Sequence, residues 1–248
     1  MFYVSGDIHG CVEEVISFCE RNKLSSDDTI ILLGDVGLNY FGNENGDRKR
    51  KMALNVCGAK ILCIHGNHEM RPESISTYKQ KEQYGGIVMF EDEYPNITFA
   101  IDGEIYDIAG NKAIVIGGAY SVDKYYRLAH NLQWFSDEQP SDDVKQNVES
   151  TLDDFGWKIE LVLSHTCPAK YIPTECFLPM IDQSTVDQST EKWLDIIEDK
   201  LQYNRWYVNN FQLEGLDPFL EKHKKTNPRR EITIAVNDSE GVERYVKV

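Results

Sequence analysis

Four short runs near residues 2–5, 29–33, 60–64 and 161–163 are apolar along nearly their whole length, and each breaks off into a polar loop. A strand exposed on one face alternates apolar and polar residues, whereas an unbroken apolar strand is buried on both faces. Such strands need a sheet covered from both sides. Behind the first run, Val12, Val15, Ile16 and Cys19 recur at helical spacing, which predicts a helix over Val12–Asn22. The opening order of strand, loop, helix, strand is therefore βαβ in style. With 41% hydrophobic residues the 248-residue chain has enough apolar surface for a sizeable core without disulfides. No linker divides it, so residues 1–248 read as one domain, with a divergent part from about 209 onward.

The middle changes character. Residues 97–101, 104–108 and 113–116 read as short strands around the turn signals Asp102-Gly103 and Gly110-Asn111, which together predict an antiparallel meander. Further on, residues 191–202 read as an amphipathic helix and Arg205–Val208 as a strand. Segments 231–236 and 242–248, on either side of Asn237-Asp238-Ser239-Glu240-Gly241, read as a closing hairpin.

The chemistry lies where the apolar runs end, the usual place for sites in open α/β sheets. The loops carry Gly6-Asp7-Ile8-His9-Gly10, Gly34-Asp35, Gly66-Asn67-His68-Glu69 and Ser164-His165 in that order. Glycine before a ligand permits tight turns and close backbone approach. Each fragment alone is common; four in sequence, each behind a buried strand, point to a converging set of metal ligands. Carboxylates, imidazoles and an amide oxygen suit borderline divalent ions such as manganese, iron or zinc.

In these motifs the chain resembles the calcineurin-like metallophosphoesterases, whose signature runs Asp-x-His, Gly-Asp, Gly-Asn-His-Glu, His and finally Gly-His-x-His. The first four blocks are present between Asp7 and His165. The resemblance implies an α/β fold, a four-layer αββα sandwich of two mixed sheets flanked by helices. It also implies metal-dependent hydrolysis of a phosphate ester by a hydroxide activated between two divalent metal ions (Mn, Fe or Zn). Asp7 and His9 would hold one ion, Asn67 and His165 the other, and Asp35 would bridge them. His68 would protonate the leaving oxygen or stabilise the transition state, oriented by Glu69 or Asp35. Arg71 offers either a grip on a phosphate oxygen or a salt bridge. The segment 117–127 offers Tyr120, Lys124 or Arg127 to the substrate, or is an ordinary surface loop.

The last block departs from the family pattern. Behind Arg205–Val208 stand Asn209-Asn210-Phe211-Gln212, so Asn210 and Gln212 take the places of two imidazoles. Amide oxygens bind borderline metals more weakly. Two readings follow: a phosphoesterase of reduced activity, or a degenerate relative that binds a phosphorylated ligand or partner without turning it over. Val36-Gly37-Leu38-Asn39 follows Gly34-Asp35 where the protein-phosphatase branch carries an Asp-Arg pair, which favours a small phosphoester substrate.

With 26 basic against 41 acidic side chains the formal net charge is −15, a surface that repels long nucleic acids. The basic cluster His223-Lys224-Lys225 with Arg229-Arg230 reads as a solvated loop. The six cysteines form no CxxC pair and read as reduced thiols, and no apolar run is long enough to cross a bilayer. These features predict a cytoplasmic protein.

Overall fold

Side chains alternate across a strand, so each fully apolar strand must find a partner on both faces. The computed structural model, which describes residues 1–42, 44–172, 185–209, 231–234 and 246–248, supplies both partners. The elements of the first half are β1 (Phe2–Ser5), α1 (Val12–Asn22), β2 (Thr29–Leu32), α2 (Glu44–Asn55), β3 (Lys60–Cys63), β4 (Lys79–Gln83), β5 (Gly86–Phe90) and β6 (Ile97–Ala100). Then come β7 (Ile105–Ile108), β8 (Asn111–Ile116), α3 (Lys124–Ala129), α4 (Asp142–Asp154) and β9 (Leu161–Ser164). After these follow α5 (Ser189–Lys200), β10 (Arg205–Val208), β11 (Glu231–Ile234) and β12 (Val246–Lys247).

One sheet has the order β12-β1-β2-β3-β6-β5-β4, the other β11-β10-β9-β8-β7. Both are mixed: β1, β2, β3 and β6 run parallel, as do β8, β9, β10 and β11, while the remaining pairings are antiparallel. The register within each strand assigns its layers. Ile31, Leu33, Leu62 and Ile64 of the first sheet meet Ala113, Val115, Leu161, Leu163 and Tyr207 of the second in one buried cluster. Their alternates Ile30, Leu32, Ile61 and Cys63 turn the other way, onto Val12, Val15 and Cys19 of α1 and Leu54 of α2. On the far side Ile114, Ile116, Val162, Trp206 and Val208 pack on Val148 and Leu152 of α4 and Trp193, Leu194 and Ile197 of α5. Three apolar seams make four layers, αββα, as the resemblance implies. Each fully buried aliphatic side chain contributes about 1.5–3 kcal/mol, so these seams carry most of the folding energy. Among the described residues no helix is long and apolar enough to cross a membrane.

Two expectations are corrected. The meander is not continuous: β6 belongs to the first sheet and β7 to the second, so Asp102-Gly103 carries the chain from one sheet to the other. The reversal is held by long-range partners: Asp102 Oδ1 accepts from Gly117 N (2.6 Å), and its other oxygen pairs with Arg71 (2.7 Å). Among the described residues, consecutive strands pair antiparallel at β4–β5 around Tyr84-Gly85, at β5–β6 and at β7–β8. Nor do the tail strands pair with each other. β11 extends the second sheet beside β10, and β12 pairs with β1 in the first. Turn-forming residues report a reversal but not the sheet into which the chain returns.

Candidate metal centre

In-register parallel strands release their loops at one level. Ser5, Leu32 and Cys63 are neighbours across β1–β2–β3, and Ile116 and Ser164 across β8–β9. The loops are stitched directly together: His9 N donates to Asp35 O (2.8 Å) and Gly10 N to Val36 O (2.9 Å). His9 (φ 43°) and Asp35 (φ 47°) both sit in the left-handed region, a backbone cost that such sites tolerate when neighbours fix the conformation. Glycine is required where the two sheets approach. A Cβ on Gly34 (φ +97°) would lie 2.3 Å from His165 Nδ1, and one on Gly66 would lie 2.1 Å from Asp35 N.

Glu69 performs the stitching from inside. Fully buried, it accepts from Val36 N (3.3 Å), Gly37 N (3.2 Å) and Gly66 N (3.4 Å), joining the loops after β2 and β3. Burial, aided by the Asp35 charge, pushes its carboxyl up to about 8 against the pull of those three donors. Glu69 therefore holds backbone, and the carboxylates near His68 are others.

Asp35 is the hub. It is buried, with Oδ1 accepting from His68 N (2.8 Å) and lying 3.7 Å from His165 Nε2. Its Oδ2 lies 3.1 Å from His68 Nδ1 and 4.0 Å from His9 Nδ1. Burial opposes its ionisation, but the charges of His165, His68 and His9 outweigh that and hold its carboxyl far below the usual range. His9 is more exposed and reaches Asp7 Oδ2 through Nε2 (2.9 Å). One ligand atom from each of His9, Asp35 and His68 falls within 4.8 Å of the others.

The pair His165 and Asn67 tests whether a cation fits. His165 Nδ1 donates to the Leu33 carbonyl (2.7 Å), which can only accept, and this fixes the ring with Nε2 turned into the site. Asn67 Nδ2 donates to Ser121 Oγ (2.9 Å), which turns Oδ1 toward that same Nε2 at 2.7 Å. Nε2 and Oδ1 thus share a hydrogen bond beside Asp35, where a cation taking the place of the shared proton would meet a lone pair on each, and their positions are fixed from behind by Leu33 and Ser121. That is how protein groups behind a metal site usually orient its ligands. The donor set of carboxylates, imidazoles and an amide oxygen fits a divalent ion.

His68 makes its second contact through Nε2, 3.2 Å from Asp123 Oδ1. Its Nδ1 contact with Asp35 is close enough for an ion pair but is not aligned as a hydrogen bond. Burial would lower the imidazole; Asp123 and Asp35 outweigh it and push His68 up to about 9. Asp123 is in turn held by Arg127 Nε (2.7 Å), and Arg127 Nη1 donates to Gln133 O (3.2 Å). Sequence reading did not single out Asp123; the signal was the acidic residue closing the loop after β8, where a carboxyl-end loop also places site residues.

Arg71 is largely buried, donating to Asp102 Oδ2 (2.7 Å) and Asp137 O (3.0 Å), with Nη2 unpartnered among the described residues. Tyr120 is half-buried, its ring 5.9 Å from Lys124 Nζ, which also lies 4.1 Å from the Trp134 ring. Arg50, which sequence reading also passed over, donates to Gly37 O (3.1 Å) and lies against Gly10, next to His9. Asn210, Gln212 and His223 lie outside the described residues. Asn209 lies inside them: it is fully buried at the end of β10, its backbone N–H donating to His165 O (3.1 Å).

Carboxylate, imidazole and amide groups thus gather at the strand ends of two mixed sheets. The sequence profile of the calcineurin-like phosphoesterases matches residues 1–168, and the chain belongs to that family. No curated protein matches its sequence. Among solved structures, TT1561 of Thermus thermophilus is similar, with 10% identity and a TM-score of 0.46 over 84% of this chain and 80% of that one. The family assignment rests on the profile match.

Proposed function

We propose that the chain hydrolyses a small phosphate ester at a centre of two divalent ions, of manganese, iron or zinc. The observation that supports this is that His165 Nε2 and Asn67 Oδ1, two atoms able to ligate a cation, lie 2.7 Å apart beside the buried Asp35 carboxylate and are oriented from behind by Leu33 and Ser121. In this reading Asp7 and His9 hold one ion, Asn67 and His165 the other, and Asp35 serves both. When bound, such ions polarise phosphoryl oxygens and lower the pKa of water toward neutrality.

The chain's own residues supply the rest. His68, kept protonated between Asp35 and Asp123, gives its Nε2 proton to the leaving-group oxygen, and Asp123 sets the ring plane for that transfer. Asp35 balances the imidazoles around it. Arg50 and Arg127 place guanidinium groups on either side of His9 and His68, where they attract an anionic substrate into an acidic protein. Arg71 acts mainly by fixing the Asp102 crossover, with Nη2 as its remaining donor toward phosphate. Tyr120 lines the approach beside Lys124.

Asn210 and Gln212, in the places of two family imidazoles, support a second reading in which the ion-binding site persists without useful turnover. Metal analysis of the purified protein, run together with hydrolysis of an aryl phosphate, separates the two. About two ions per chain with hydrolysis that a chelator abolishes is the expected result. Bound metal without hydrolysis favours the second reading, and a metal-free, inert protein overturns both.

A further inference from the structure

Asn209 is the one side chain at the carboxyl end of β10 that the structure describes, and its environment is unusual. It is 0% exposed, and among the described residues its amide makes no well-aligned hydrogen bond, only a weak one to the Asp7 carboxylate. A buried polar group left unpaired costs about 1–3 kcal/mol, and native proteins keep few of them. Its backbone N–H is tied to His165 O, which fixes the end of β10 that carries it. Its carboxamide faces the Asp7 carboxylate and, after burial and the contact with His9, is among the groups acting on that carboxyl, which lies below its ordinary value. The amide therefore stands between Asp7 and His165, the residues assigned to the two ions. In the family pattern this position belongs to glycine, which brings no side chain at all.

We propose that Asn209 is itself a metal ligand, its Oδ1 coordinating the ion held by Asp7 in place of an imidazole lost from the final block. The proposal rests on the metal-site reading above. It accounts for an amide buried with only a poorly aligned contact to Asp7, and it makes the site harder in character, favouring manganese over softer ions.

The test is calorimetric titration of Mn²⁺ into chelator-stripped protein, alongside the melting temperature of the stripped protein. Asn209→Gly, the family residue, should weaken one Mn²⁺ site by more than the ~10–100-fold typical of residues behind a ligand, with little change in metal-free melting. Asn209→Asp, equal in size, should bind at that site more tightly than the natural protein. Unchanged Mn²⁺ affinity in both variants overturns the proposal. So does a fall in metal-free melting with unchanged affinity, which makes the amide a structural hydrogen-bonding group. Asp35→Asn is the control. If it loses Mn²⁺ while the Asn209 variants do not, only the Asn209 assignment fails; if the natural protein binds no Mn²⁺, the metal-site reading fails with it.

Discussion

The two sheets hold their shares of the proposed metal centre differently. From the first sheet come Asp7, His9, Asp35, Asn67 and His68, on loops bonded to one another through backbone and clamped by Glu69. From the second come His165, tied across to Leu33 O, together with Asp123, whose carboxylate is held by Arg127, and Asn209, whose amide makes no well-aligned hydrogen bond among the described residues. The first share is fixed before anything binds, which keeps the cost of ordering out of catalysis. The second meets substrate and ion with groups still free to engage, so variation there should tune activity while variation in the first share should end it.

The sharpest attempt to break this contrast is Asp35→Asn. It should remove bound metal and aryl phosphate hydrolysis together, by far more than the ~10–100-fold of residues behind the ligands, because one carboxylate serves every imidazole of the centre. A variant that keeps most of its activity would deny the first share its primacy. His68→Ala comes next, with turnover down by about 10²–10⁴-fold and metal content unchanged, as loss of a general acid requires. Metal lost along with turnover would make His68 a ligand, a role its closeness to His9 and Asp35 permits.

Glu69→Ala probes rigidity and should act on the fold before the chemistry. It leaves the amides of Val36, Gly37 and Gly66 without their buried acceptor, and chemical denaturation should show a loss of about 3 kcal/mol. A loss below about 0.5 kcal/mol, the level of ordinary surface changes, would mean the loops hold themselves. The smallest effect falls on the second share. Asp123→Ala should slow hydrolysis of an alkyl phosphate about 10-fold, and that of a nitrophenyl phosphate much less, since a good leaving group needs little help from His68. Equal slowing of both substrates would give Asp123 a structural role and no part in proton transfer.

Much of this architecture is written locally. Apolar runs gave β1 and, to within a residue or so at their ends, β2, β3 and β9, and the residues that follow them carry the ligand types in order; Arg205–Val208 also read as the strand it is, β10. Helix α1 follows from the spacing of Val12, Val15, Ile16 and Cys19. By contrast α2, polar over most of its length, gave no such periodicity, nor did the β4–β5 hairpin, whose first strand reads KQKEQ.

What the tertiary structure alone decided is which polar group meets which. Asn67 faces His165 from 98 residues away, Glu69 reaches Val36 across 33, and His68 finds Asp123 across 55. The glutamate next to His68 in sequence turns inward to the backbone, while a carboxylate from a different sheet takes its place on the imidazole. Asp102-Gly103 announced a turn, but which sheet received the next strand depended on apolar faces already committed to the shared core. Hydrophobic patterning repeats over a few residues and survives in any window of sequence. Hydrogen-bond partners are set by distance in space, which the chain acquires only once both sheets have packed.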